Sequence, residues 1–324
     1  MRTAFAFLAA AAALAVSPAA AQHKAPTHDA QWPGMVSGPD GIEGLDPGPE
    51  LQRGRSAKAM LADTRKLTVA LNALQPQRKA LVDAYVVSVA LDSDPVFGRE
   101  AREASKVLSR RFDAAGRTIT LAGSTGTMPS ELPGGSLTSL TLALARVAEV
   151  MDKQQDVLVL YTTSHGAPVG IAYHDGDVGY GILSPKRLEA LLDELGIKNR
   201  VLILSACYSG IFVGPLSGPD TALLTAASSD RTSFGCQADN DWTFFGDAMI
   251  NHALRKSQPL EAASDEARTM IGEWEGAAGV IPSNPQVSIG ADVATWLAPL
   301  EARMPKTDTP PVGRPATDTL KAGG

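Results

Sequence analysis

The chain is poor in cysteine: Cys207 and Cys236 are its only two. That count excludes a small scaffold stapled by several disulfides, and a domain of this length needs no staple. One bridge between the pair stays open, because spacing alone cannot fix connectivity. Aromatic residues are scarce too, at 5% of the sequence, so the core must rest on the plentiful Ala, Leu and Val, a composition that suits an α/β protein. Basic charge is also short. The 29 Lys and Arg are outnumbered by 35 Asp and Glu, and a chain with a net charge of −6 is not built to hold nucleic acid. Long apolar runs are missing except for Ala4 to Val16, so no membrane span is expected in the mature chain.

That one apolar run follows Arg2 and precedes Ala19-Ala20-Ala21. The pattern is that of a secretory signal with an Ala-x-Ala cleavage site, so residues 1–21 are expected to be removed on export, most simply into a periplasm. Residues 22–55 hold glycine, proline, His23 and His28 without apolar periodicity, and read as a flexible leader or a strap over the surface. The two histidines have no Cys or Glu partner at metal-ligand spacing. Residues 56–302 are expected to form one domain, and the Pro, Thr, Lys and Gly beyond Arg303 a disordered tail over 303–324.

Within the domain, helical patterns alternate with short apolar runs. Helices are expected over 56–74, 97–112, 137–151, 184–195, 244–254 and 260–275. Strands are expected near 85–91, 118–121, 156–161, 201–204, 222–226 and 286–289. This rhythm predicts a mainly parallel sheet with right-handed crossovers, covered by helices on both faces. His174-Asp175-Gly176-Asp177 reads as the turn of a hairpin between two further strands.

Two of the apolar runs end in reactive side chains. Val201-Leu202-Ile203-Leu204 leads into Ser205-Ala206-Cys207-Tyr208-Ser209-Gly210, and Val157-Leu158-Val159-Leu160-Tyr161 leads into Thr162-Thr163-Ser164-His165-Gly166. Neighbouring parallel strands would set a histidine beside a cysteine at their carboxyl ends, where ligands collect in such sheets. A cysteine attacks as thiolate, and a histidine beside it supplies the base or the stabilising cation. The backbone N–H groups of Gly166 and Cys207 could hold a tetrahedral oxyanion, so acyl transfer is the reaction class. No metal or organic cofactor is needed for it.

His165 precedes Cys207 by 42 residues, the order of caspase-type chains and the reverse of papain-like ones. With Val96-Phe97-Gly98-Arg99-Glu100, Thr232-Ser233-Phe234-Gly235-Cys236 and Thr243-Phe244-Phe245-Gly246-Asp247, the two blocks resemble the legumain-like cysteine peptidases of family C13. The resemblance implies a three-layer α/β/α caspase-like domain and a cysteine endopeptidase acting on peptides or proteins through the pair His165 and Cys207. It further implies that Arg99, Ser233 and Asp247 line the pocket for the residue before the cleaved bond, with asparagine preferred over aspartate. The ordinary alternatives are a surface ion pair of Arg99 with Glu100 or Glu103, a turn cap at Ser233, a helix-terminal acid at Asp247 and a structural thiol at Cys236. Two departures stand out. Ser164 replaces the aspartate that precedes the histidine in eukaryotic legumains, which favours hydrolysis over ligation, and Tyr208 replaces the acid often found after the nucleophile. A rival reading keeps the fold as an inert peptide-binding protein or a transpeptidase.

Overall fold

The structure, a computed structural model, describes residues 48–123 and 130–318. The expected signal segment, most of the expected leader and residues 319–324 lie outside the described residues.

In chain order the elements are β1 (Glu50–Gln52), α1 (Ala57–Asn72), β2 (Ala84–Ala90), α2 (Pro95–Arg111), β3 (Thr118–Leu121), α3 (Leu137–Val150) and β4 (Val157–Thr163). Then come β5 (Gly166–Ala167), β6 (Gly170–Asp175), β7 (Gly179–Leu183), α4 (Pro185–Glu194), β8 (Arg200–Ser205), the single turn α5 (Val213–Leu216) and β9 (Thr221–Thr225). The described chain closes with α6 (Leu260–Ala278), β10 (Gln286–Ile289) and α7 (Val293–Ala302). Serines start three of the helices. Ser56, Ser136 and Ser184 accept the N–H of Ala59, Ser139 and Arg187, satisfying donors that the first turn leaves unpaired.

The main sheet runs β10-β9-β8-β4-β2-β3, parallel throughout except for the antiparallel edge strand β10. Its central strands β2, β4 and β8 alternate between two apolar layers. Val86, Val159, Val201 and Ile203 pack with α2, α6 and α7, while Tyr85, Val87, Leu158, Leu160, Leu202 and Leu204 pack with α1, α3 and α4. That is the three-layer α/β/α arrangement expected of continuous apolar strands buried on both faces. Among the described residues, no helix is long and apolar enough to cross a membrane.

A second, antiparallel sheet, β1-β7-β6-β5, stands at the carboxyl end of the main one. It is joined there through the parallel bridge between Asp92 and His174. His174 is thus a β6 residue rather than part of the turn. The described end of the leader is not free: Glu50–Gln52 pairs with β7, Gln52 donates to the Tyr173 hydroxyl, and Arg55 forms an ion pair with Asp175.

The segment after Arg303 corrects the expectation of a disordered tail. Trp242 Nε1 donates to Val312 O at 2.8 Å, the Asn251 side chain pairs with both backbone groups of Val312, and Ala316 N donates to the buried Asp247 carboxylate at 2.7 Å. Its composition offers no apolar stripe, yet partners from the helical layer satisfy its backbone. Helix α7 was not legible, because Pro299 inside it breaks the helical pattern. The expected helix over 244–254 is wound as a π-helix from Gly246 to His252 and a 3-10 turn to Arg255.

Candidate active site

Register fixes where the two reactive side chains stand. Thr163 of β4 pairs with Ser205 of β8, and Ser164 N donates to Ser205 O at 3.2 Å, so His165 and Cys207 each lie two residues beyond the last paired position. Their backbones then press together. A Cβ on Gly166 would sit 2.0 Å from Cys207 O, so only glycine fits beside the cysteine. Immediately after the cysteine the chain turns sharply. Tyr208 adopts φ 59°, a left-handed conformation that a tyrosine rarely takes, and its N–H is held by Arg231 O at 2.8 Å.

The loop after β9 wraps around this turn. Ser209 Oγ accepts the Ala227 N–H at 3.2 Å, and Gly210 packs so tightly on Ser228 and Ser229 that a Cβ would meet Ser229 N at 2.5 Å. The same loop delivers Ser233 to Cys207. Its N–H points at Cys207 Sγ at 3.2 Å, and its carbonyl and hydroxyl oxygens lie 3.6 Å from the sulfur.

His165 has different neighbours. Its ring packs edge-on against Phe97, with centroids 4.9 Å apart, and its Nε2 lies 3.3 Å from Asp94 Oδ2. Among the described residues no hydrogen bond joins the imidazole to the Cys207 sulfur. Hydrogen bonding of the ring to the Cys236 sulfur does most to raise the histidine pKa. Burial opposes it, the carboxylates of Asp94 and Asp92 add to it, and the result is about 9. That shift favours the imidazolium, the form that stabilises a neighbouring thiolate and can protonate a leaving amine. Both cysteines are free thiols, so the disulfide left open by the sequence is not formed.

Asp94 is the histidine's partner that sequence reasoning missed. It occupies the N-cap of α2 without using its side chain for capping, which leaves the carboxylate available to His165. Before a proline at a strand end it reads as an ordinary turn residue. Its signal was position: β2 neighbours β4 in the sheet, so the end of β2 reaches the same height.

Glu100 was missed as well. This fully buried carboxylate accepts from Tyr161 and Thr163 of β4, Ser205 of β8 and the Thr243 backbone, tying the two reactive strand ends to α2.

The three expected pocket residues are not brought together. Ser233 alone touches Cys207. The Arg99 guanidinium donates to the carbonyls of Ala238 and Asn240 and lies 3.4 Å from Asp241, fastening the loop after Cys236 onto α2. It borders a cleft of about 460 Å³ that neither His165 nor Cys207 lines. Its expected surface pairing with Glu100 or Glu103 is also absent, since Glu103 pairs with Arg255 and Lys106. Asp247 is corrected outright: its carboxylate is fully buried, held by Ala316 N and Asn251 Nδ2, and faces the C-terminal segment rather than a pocket.

No curated protein matches the chain. Among solved structures, caspase-1 from Spodoptera frugiperda overlaps with 67% of this chain and 88% of its own, at 12% identity and a TM-score of 0.44. Residues 139–290 match the Peptidase C13 family, a stretch that contains His165, Gly166, Cys207, Ser233 and Cys236 but neither Asp94 nor Arg99. The thiol and the imidazole thus stand at the ends of adjacent strands inside the stretch that is similar to the Peptidase C13 family.

Proposed function

We propose that the protein is an exported cysteine endopeptidase in which Cys207 and His165 form the catalytic pair. The observation that carries this reading is the register of β4 and β8, which sets both residues two positions past Thr163 and Ser205, with strained Tyr208 turning the chain behind the nucleophile. Cys207 Sγ, as thiolate, attacks the peptide carbonyl carbon. The N–H groups of Gly166 and Cys207 receive the oxyanion, and the C–N bond breaks as the His165 imidazolium gives its proton to the leaving amine. Water then attacks the thioester, the now neutral His165 takes its proton, and Cys207 leaves as thiolate.

Cleavage after asparagine is the preferred specificity, supported by the family resemblance and by Ser233, whose hydroxyl can both donate to and accept from a carboxamide. Asp247 plays no part in that pocket, and Arg99 contributes by holding the 238–241 loop. The test is turnover of fluorogenic peptides that differ only in the residue before the bond, with Cys207→Ala in parallel. Cleavage after Asn that falls at least roughly a thousandfold in the variant is expected, as for loss of a nucleophile. Cleavage confined to another residue would overturn the specificity. A thiol inert to alkylating probes, together with peptide binding that survives Cys207→Ala, would overturn the enzyme reading in favour of a binding protein.

A further inference from the structure

We propose that Asp92, Asp94 and His165 form a binding site for a divalent transition-metal ion of the zinc class, and that occupancy takes His165 out of the peptidase reaction. One donor atom from each residue lies within 4.8 Å of the others. The site is also asymmetric in a way that points to a cation. Asp92 is 1% exposed, and its Oδ1 is used by the Asp94 N–H at 2.8 Å, but its buried Oδ2 has no hydrogen-bond partner. His174 Nδ1 lies 3.4 Å from that oxygen without a hydrogen bond to it. A buried carboxylate oxygen without a donor is costly, and a metal ion is one of the few partners that removes the cost completely.

The donor chemistry selects the ion. One imidazole and two carboxylates suit Zn²⁺ and its first-row neighbours, whereas Ca²⁺ takes six to eight oxygens. Zinc holds such donors at about 2.0–2.2 Å, which places them roughly 3.4 Å apart around a tetrahedron. His165 Nε2 and Asp94 Oδ2 already stand 3.3 Å apart, and both side chains are close to half exposed, so they can close on an ion over the fixed Asp92. The nitrogen that binds the ion can no longer carry a proton to the leaving amine. Metal is thus an inhibitor here and not a cofactor, and its effect on turnover rests on the peptidase reading above, whereas binding does not.

The test is calorimetric titration of ZnCl₂ into the full mature chain and into its variants, alongside peptide turnover. One equivalent is expected to bind to wild type and equally to Cys207→Ala, while Asp94→Asn weakens binding roughly tenfold or more. Asp94 is half exposed and its side chain caps nothing, so this variant tests the site without a folding risk; Asp92→Asn is the second variant, accepted only with a wild-type circular dichroism spectrum. Turnover should be inhibited by zinc and restored by a chelator. No binding, or binding lost in Cys207→Ala and kept in Asp94→Asn, would overturn the proposal, the latter by placing the ion on the cysteine and histidine. Binding with the expected variant pattern in a chain that cleaves no peptide would uphold the metal site and sink only the peptidase reading.

Discussion

His165 shows how far one side chain's surroundings decide its chemistry. Its pKa is raised from 6.5 to about 9, chiefly by the hydrogen bond with Cys236, with burial opposing and the Asp94 and Asp92 carboxylates assisting. The folded state therefore favours the protonated ring. That stabilisation is complete below about pH 6.5 and is lost as the pH rises through 9, where both states are neutral. Thermal melts between pH 6 and 10 should show wild type losing more stability than His165→Gln; parallel curves would count against the raised pKa. The strand-end positions of His165 and Cys207 were legible because each residue follows an apolar run and precedes a small residue or a tight turn. Asp94 was not, since its partner lies 71 residues away and Asp-Pro at a strand end reads as a turn.

At the scale of elements, the reactive strand ends are held from behind by α2. Glu100 projects from that helix under β4 and β8, and Gly246 is needed above it, because a Cβ there would fall 2.1 Å from Glu100 Oε2. Replacing Glu100 with alanine strands the hydroxyls of Tyr161, Thr163 and Ser205 and the Thr243 N–H in a closed core. Chemical denaturation should register a loss on the order of 3 kcal/mol. Glu100→Gln, which keeps one acceptor but aims an amide N–H at another donor, should fall between wild type and alanine. An unchanged midpoint in Glu100→Ala would refute the role assigned to the network. In the sequence, Glu100 is one of two acids on a charged helix, and only its burial distinguishes it.

At the scale of the whole molecule, the main sheet supplies the reactive groups, and the chain on either side of the domain braces it. The small sheet docks on Asp92 through His174, the 50–52 strand extends that sheet, and residues 303–318 close over Asp247 and Asn251. Export remains the proposal for the intact protein, supported by Arg2, the apolar Ala4 to Val16 run and Ala19-Ala20-Ala21. N-terminal sequencing of the protein recovered from the exported fraction should begin at Gln22; an intact Met1 in a chain confined to the cytoplasm would sink it. Most of the order of strands and helices, the parallel sheet and the placing of Cys207 and His165 at the ends of adjacent strands follow from the sequence alone. Apolar periodicity, serine caps and turn residues act over a few positions, so they can be read there. Tertiary structure alone decided that Asp94 meets His165, that Arg99 grips the 238–241 loop, and that Asp247 serves the C-terminal segment instead of a substrate. Those partners are 71, up to 141 and 69 residues apart, and proximity across layers depends on how whole elements pack, which no local pattern carries.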